Sequence, residues 1–478
     1  MILRKTKIVA TLGPASSSEE VLERMISAGV DVVRLNFSHG SAQDHIDRAK
    51  LVREIAARHR RPVGVLCDLQ GPKIRIGRFE NDKIQLAVGD PFILDATCAL
   101  GNQERVGLDY KTLPTEVKPG AVLLLNDGRI VMTVNAVRGN EIHCTINAGG
   151  TLSNNKGINL KGGGLAADAI TNKDIEDIKT AAALDADYVA ISFPRSAADV
   201  QLARALVRAA GGKANIVAKI ERAEAIDALE EIIEASDVIM VARGDLGVEV
   251  GDSVVPGLQK RMIRMARAQN KLVITATEMM ESMISNPVPT RAEVSDVANA
   301  VLDGTDAVML SAETAAGAYP VESILAMHRV CMDAEIDYDS HLLKAKLNPE
   351  FQRIDESIAM AAIYVAHHFK VKAIAALTQS GSSVVWLSRS NTIVPIYALS
   401  PEKSTRRKLT LHRGVYPFPF EEESHDTEKV IYAAEEELLQ RGAVQEGDLI
   451  LLTIGEPIGK QGSTNTLKII KIGEHRTS

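Results

Sequence analysis

Eight short, almost uninterrupted apolar runs alternate with amphipathic stretches from Lys7 to about Arg329, and this rhythm restricts the fold more than any other feature. The runs are KIVATLG, VDVVRLNFS, PVGVLCDL, ADYVAISF, NIVAKI, DVIMVARGD, LVITATEM and DAVMLSAET. A strand with one face in water alternates apolar and polar residues. These do not, which predicts parallel strands covered on both faces. Amphipathic stretches such as SEEVLERMISAG, NKDIEDIKTAAAL and GLQKRMIRMARAQN lie between most of them. Eight β/α units are the number at which a parallel sheet closes into a barrel; an open doubly wound sheet is the alternative.

One connection breaks the rhythm. From about Ile74 to Asp168 the pattern predicts no helix. It shows strand runs with hairpin signals, LLLNDGRIVMTV around Asn126-Asp127-Gly128 and AVRGNEIHCTI around Gly139-Asn140. A small all-β unit inserted into the loop after the third strand is expected. That loop leaves the carboxyl end of a strand, the face where barrel active sites are assembled, so the insertion can serve as a lid. After about Asp339, helix ESIAMAAIYVAHHF, strands VKAIAALT and TIVPIYALS, helix DTEKVIYAAEEELLQRG and strand DLILLTIG predict an open α/β unit. A chain of 478 residues is too long for one core. The expected division is 1–73 with 169–339 for the barrel, 74–168 for the lid and 340–478 for the last domain.

With 55 Lys and Arg against 62 Asp and Glu the net charge is −7, and no long basic run offsets it, so no nucleic-acid partner is expected. The start, MILRKTKIVATLGP, passes straight into a strand pattern without a signal core, and no apolar stretch reaches bilayer length. Cys67, Cys98, Cys144 and Cys331 stand far apart without metal-type spacing, which suits reduced thiols. A cytoplasmic protein with no membrane partner is the expectation.

The chemistry gathers at the strand ends. In IVAKIE (Ile216–Glu221), Lys219 and Glu221 share a face because strand side chains alternate with period two. The next strand ends in RGDLG, where Asp245 is expected in a turn between Gly244 and Gly247. An ammonium beside two carboxylates able to hold a divalent cation meets a need of phosphoryl transfer: charge on the moving group is neutralised from several sides. Taken singly, the pair reads as an ordinary ion pair. Other strands add to the same rim. The second brings Arg34, Asn36, Ser38 and His39, and the third brings Asp68, then Lys73 and Arg75. Thr277 and Glu278 end the seventh, Ser311 and Glu313 the eighth.

Long segments of this chain, KIVATLGPAS, VVRLNFSHG, GPKIRIG, IVAKIE, MVARGDLGVEV and NPVPTRAEVSDVANAVLDGTDAVMLSAET, resemble the pyruvate kinase family. With the β-insertion, the resemblance spans essentially the whole chain, domain order included. It implies a (β/α)8 TIM barrel with an inserted small β-barrel domain and a C-terminal open α/β regulatory domain. The implied reaction transfers a phosphoryl group from phosphoenolpyruvate to ADP, giving pyruvate and ATP. Glu221 and Asp245 are the implied ligands of Mg2+, or of Mn2+ in its place. Lys219 is the implied stabiliser of the phosphoryl group and of the developing enolate. Substrate contacts are implied for Arg34, Thr277, Asp245 and the backbone of Arg243 and Gly244. Nucleotide contacts are implied for Asn36, Ser38, His39, Arg75 and Lys156, the last reaching in from the lid. A homotetramer follows from family habit alone.

Many members of the family need a bound K+ and carry Glu where this chain has Lys73, and Thr where it has Leu69. Here an ammonium enters the monovalent-site region of Asn36, Ser38 and Asp68. A fixed Lys73 neutralising Asp68 makes K+ redundant, so K+-independent activity is expected. The loop Thr378, Gln379, Ser380, Gly381, Ser382 and Ser383 precedes a helix-like stretch, where N–H groups and hydroxyls suit a phosphate. A plain turn is the alternative. The resemblance favours a phosphorylated allosteric effector there, a sugar phosphate or a nucleotide monophosphate, with GKQGSTNT (459–466) closing over it. His367 and His368 are adjacent on a helix and do not share a face, which disfavours a metal site. Met279, Met280 and Met283 are expected to pack a helix end. Lys403, Arg406, Arg407 and Lys408 are expected on a solvated face. Two other classes compete, a lyase using a metal-bound enolate and a catalytically silent scaffold. A lyase has no need of a lid carrying Lys156, and a scaffold has none of Lys219, Glu221, Asp245 and Thr277.

Overall fold

Eight parallel strands close into a barrel in the computed structural model, which describes residues 3–342, 351, 353–390, 392–421, 424, 426–458 and 464–474. They are Lys7–Leu12, Val32–Asn36, Gly64–Asp68, Tyr188–Ile191, Asn215–Ile220, Val238–Ala242, Leu272–Ala276 and Ala307–Leu310. Each pairs with its neighbour in chain order, and the last closes on the first with Lys7 opposite Ala307. One face of each strand packs on the ring of helices. The other fills the interior, where Val9, Leu66, Tyr188, Val217, Met240 and Ile274 are buried together. Burial on both faces is the cause of the apolar runs, and the ring is closed rather than open.

Ordinary capping chemistry sets the helix boundaries. Ser18, Ser41, Thr171 and Thr290 accept N–H groups of the first turn, and Gly29 and Gly304 end helices in the left-handed conformation. Met279, Met280 and Met283 are buried against this layer as expected.

Between the third and fourth barrel strands lie a six-stranded sheet and a two-stranded one. Val122–Leu125 pairs antiparallel with Ile130–Arg138 across Asn126-Asp127-Gly128, all at positive φ. Ile130–Arg138 pairs with Glu141–Ala148 across Gly139-Asn140. This unit has its own core, including Phe92, Leu123, Met132 and Ile142. One helical turn, Leu113–Glu116, departs from the expectation of none, being too short to leave a periodic pattern.

The C-terminal sheet is ordered Val415–Pro419, Ile396–Ser400, Ala373–Leu377, Leu449–Gly455, Thr464–Lys471, with the last strand antiparallel. Val415–Pro419 escapes a sequence reading because prolines interrupt it, yet an edge tolerates them and the strand lies at the edge. Of the stretch expected to close over the effector loop, residues 459–463 lie outside the described residues; Thr464–Thr466 belong to the edge strand.

The cationic run after Pro401 corrects an expectation. Lys403 is exposed, but Arg406 is buried and donates to the carbonyls of Ser400 and Pro401. Arg407 reaches Asp187 at 2.8 Å and Asp185 at 2.5 Å, and Lys408 donates to the Lys213 carbonyl at 2.7 Å. Arg407 and Lys408 thus dock the C-terminal unit on the amino-terminal side of the barrel. A charge run looks solvated only while its partners, some two hundred positions away, are unknown. Among the described residues no helix is long and apolar enough to cross a membrane.

Candidate functional site

At the carboxyl ends of the strands, Arg34, Asp68, Lys219 and Glu221 form one buried cluster. Asp68, 1% exposed, ends the third strand; Arg34 Nε donates to its Oδ2 at 2.7 Å. The Lys219 ammonium is 3.4 Å from Asp68 Oδ1, an ion pair rather than a hydrogen bond, and that oxygen has no other partner among the described residues. Lys219 Nζ lies 2.9 Å from Glu221 Oε1, so the period-two argument holds. It also donates to Ser192 Oγ at 2.7 Å, and Glu221 Oε2 accepts the Phe193 N–H at 2.8 Å.

Burial alone would lower the pKa of Lys219, but the charges of Asp68 and Glu221 reverse this and hold it above the ordinary lysine value. Burial raises Asp68 less than Lys219 and Arg34 lower it, so Asp68 stays ionised below the usual carboxylate range. Glu221 is raised, by burial first; Lys219 pulls it down and the negative charge of Asp245 pushes it up. Buried Glu221 and partly exposed Asp245 therefore repel each other. Such a donor pair fits a hard divalent cation that takes its other oxygens from substrate and water. Among the described residues no group of three or more His, Cys, Asp or Glu side chains could hold a metal by itself.

Two expectations are corrected beside this pair. Asp245 lies in the first turn of a helix, Arg243–Val250, rather than in a turn between glycines. A carboxylate in a first helical turn is favoured by the helix dipole, and buried Leu246 pins the segment. Lys73 does not neutralise Asp68, whose partners are Arg34 and Lys219. The loop after the third strand carries it across the mouth to Asp245 Oδ1 at 3.0 Å.

Thr277 follows the seventh strand at φ 66°, a conformation that costs a β-branched residue about 1–3 kcal/mol. Three hydrogen bonds hold it there. Its Oγ1 accepts the Gly244 N–H at 2.9 Å and donates to the Ala276 carbonyl at 2.7 Å; Arg243 Nη2 donates to its carbonyl at 2.7 Å. The Arg243 guanidinium is further tied to Asp296 at 2.7 Å, which leaves its main chain at the rim.

The remaining expected residues divide. Asn36 Oδ1, at the end of the second strand, accepts the Ser38 N–H at 3.1 Å, and the His39 carbonyl bonds the ring of His45, in the helix that follows, at 2.9 Å. Arg75 Nη1 donates to the Asn155 carbonyl at 3.0 Å and Ile76 N–H to that of Lys156 at 2.9 Å. Arg75 thus braces the turn that presents Lys156; among the described residues no hydrogen bond joins either to the Lys219 cluster. Glu313 is structural: its carboxylate accepts the N–H groups of Ser311 at 2.6 Å and Met280 at 3.2 Å. In the C-terminal loop, Gly381 at φ 87° donates its N–H to Thr378 Oγ1 at 2.9 Å. Ser380 Oγ donates to Ser382 Oγ at 3.3 Å, and a helix, Ser382–Arg389, follows. Ser383 is buried, and its hydroxyl has no hydrogen-bond partner among the described residues.

Sequence reasoning missed Thr11, whose Oγ1 accepts from Arg34 Nη1 at 3.0 Å, and Ser192. Both stand at or just past the ends of barrel strands, the first and the fourth, so the rule that found the other rim residues could have found them.

Comparison with known proteins agrees with this architecture. A family profile described as pyruvate kinase, barrel domain, matches residues 3–324, and one described as pyruvate kinase, alpha/beta domain, matches 356–470. The chain is 52% identical over 476 residues to pyruvate kinase II of Salmonella typhimurium, covering 98% of this chain and 99% of the relative. It is 53% identical over 470 residues to pyruvate kinase of Haemophilus influenzae, covering 97% of each. Pyruvate kinase of Sporosarcina psychrophila is 42% identical over 477 residues, covering 99% of this chain and 81% of that relative.

Proposed function

Because the chain belongs to the pyruvate kinase family and is a phosphotransferase of that class, we propose that Lys219, Arg34, Glu221, Asp245 and Thr277 form its active site for phosphoenolpyruvate and ADP. The observation that carries this reading is the Lys219 ammonium, held between two buried acids at the barrel mouth. Its raised pKa keeps it a full cation at neutral pH, suited to a phosphoryl oxygen and to the enolate left behind. Arg34, oriented by Asp68 and Thr11, adds a planar donor for the same anion. Glu221 and Asp245 would hold Mg2+, or Mn2+, which when bound supplies a divalent charge to the substrate oxygens. The Arg243 and Gly244 main chain opens a helix and suits the substrate carboxylate. Protonation of the enolate carbon is assigned to the face of the Thr277 hydroxyl, directly or through a water.

Nucleotide contacts are assigned to Asn36, Ser38, His39, Arg75 and Lys156. Lys73, paired with Asp245 and not with Asp68, supplies a fixed positive charge at the barrel mouth, and activity without K+ is proposed on that ground. The loop of Thr378, Ser380, Gly381, Ser382 and Ser383 takes the phosphate of an activating metabolite, and the unpartnered Ser383 hydroxyl supports that reading. A homotetramer in the cytoplasm completes the proposal.

The test is pyruvate formation from phosphoenolpyruvate with Mg2+, with and without ADP. Strict ADP dependence is expected, and Lys219→Met should lower kcat by about a thousandfold or more. Pyruvate released without ADP would favour a lyase, and an unaffected Lys219→Met enzyme would remove the central residue of the mechanism.

A further inference from the structure

The returning end of the inserted domain crosses back to the barrel through Gly162, Gly163 and Gly164, at φ 87°, 79° and 99°. Three consecutive left-handed positions cost least in residues without Cβ, and such a run is also where a chain pivots. At Gly163 a second constraint applies, since an added Cβ would lie 2.6 Å from Glu224 Oε2. The Glu224 carboxylate sits against this segment and its Oε1 accepts the Gly164 N–H. Its Oε2 is buried with no hydrogen-bond partner among the described residues.

A second carboxylate grips the strand just upstream. Glu249, 8% exposed, accepts from Asn159 Nδ2 at 3.4 Å and from the Ala223 N–H at 2.9 Å. The Glu249 main-chain carbonyl also accepts the Gly162 N–H at 3.2 Å. Arg222 adds a bond to the Leu165 carbonyl at 3.3 Å and lies over the Phe193 ring, 5.4 Å from its centroid. Between the two units a small cavity of about 20 Å³ is lined by Pro72, Ile158, Phe193 and Arg222, among others.

What makes this more than a domain contact is where the gripping residues stand. Arg222 and Glu224 sit one and three positions after Glu221, and Glu249 lies in the last turn of the helix that carries Asp245 in its first. The Ala223–Glu249 bond ties those two barrel segments to each other. Whatever shifts Glu221 against Asp245 shifts the two halves of the grip.

We propose that Glu224 and Glu249 form a latch that holds the returning end of the lid on the two barrel segments bearing Glu221 and Asp245, so that both act as positioning residues for the nucleotide side of the site. The inference rests on reading the inserted domain as a lid over that site. Opening pivots at Gly162–Gly164: Asn159 leaves Glu249, while Glu224 keeps Gly164 in place.

The test uses full-length protein and the variants Glu224→Ala, Glu224→Gln, Glu249→Ala and Glu249→Gln. Hydrogen exchange of residues 158–166 is measured without substrate, and KM for ADP and for phosphoenolpyruvate alongside. Each alanine variant should exchange on the order of tenfold faster in that segment, the scale of one lost hydrogen bond to a charged group, with the barrel strands unchanged. KM for ADP should rise by a similar factor while kcat falls less. Glu224→Gln, which keeps an oxygen for the Gly164 N–H, should recover most of both effects, a rescue that generic destabilisation would not give. Unchanged exchange in both alanine variants overturns the latch, as does an equal rise in exchange throughout the barrel. If an alanine variant does not fold, the shortened Glu224→Asp or Glu249→Asp, which withdraws the carboxylate from its partners, is measured in its place with the same expected rise. The exchange readout needs no turnover, so a protein without kinase activity would defeat the functional reading and still leave the latch open to refutation.

Discussion

Replacing Lys73 by Glu reverses the charge beside Asp245 and tests whether this enzyme carries its own monovalent cation. Lys73 Nζ lies 3.0 Å from Asp245 Oδ1, with the side chains 26% and 23% exposed. A unit charge pair at that distance and an effective dielectric of ~20 attracts by about 5 kcal/mol before desolvation and side-chain entropy are subtracted. Those terms cancel most of the gain, leaving about 1–2 kcal/mol net. Charge reversal replaces attraction with repulsion of similar size, so binding of an anionic substrate should weaken by about 3 kcal/mol, roughly 150-fold in kcat/KM. The assay is initial rate against phosphoenolpyruvate in Tris buffer, with K+ absent and then added. The unaltered enzyme should respond less than about twofold, well under 1 kcal/mol. Lys73→Glu should be nearly inactive until K+ supplies the missing charge. An unaltered enzyme that loses orders of magnitude without K+ would refute the reasoning, and so would a Lys73→Glu enzyme that is fully active and indifferent to K+.

Three further outcomes are expected. Arg389→Ala should cost about 3–5 kcal/mol in urea unfolding, because it strands the fully buried Asp306 carboxylate that it binds with both Nη atoms. A loss under about 1 kcal/mol would contradict that. Burial, with Arg389 adding repulsion, lowers the buried His412 to about 4. The folded protein therefore resists a proton that the unfolded chain accepts. His412 costs nothing above pH 6.5 and removes on the order of 3 kcal/mol of stability as pH falls from 6.5 to 4. His412→Gln should flatten that slope in urea midpoints measured at pH 7 and 5; an unchanged slope counts against it. Finally, Ser383→Glu should bring the ratio of rates with and without a panel of phosphorylated metabolites to one, whereas persistent activation would exclude this loop as the effector site.

Some of this molecule is written in local chemistry. Strands covered on both faces need continuous apolar runs, so the barrel was legible, and Asn126-Asp127-Gly128 and Gly139-Asn140 placed the hairpins through their backbone preferences. Period-two geometry put Lys219 beside Glu221 with no knowledge of the fold. Other features had no local trace. Lys73 finds Asp245 172 positions away, and Arg407 finds Asp187 220 positions away. Which loop crosses the barrel mouth, and which helix meets its base, follows from ring closure and domain docking. Ser192 became a partner of Lys219 only because the fourth strand ends beside the fifth. Composition and spacing decide which side chains share a strand face or a turn. Only the packed chain decides which distant charge each one meets, because that energy exists only after the elements have closed on one another.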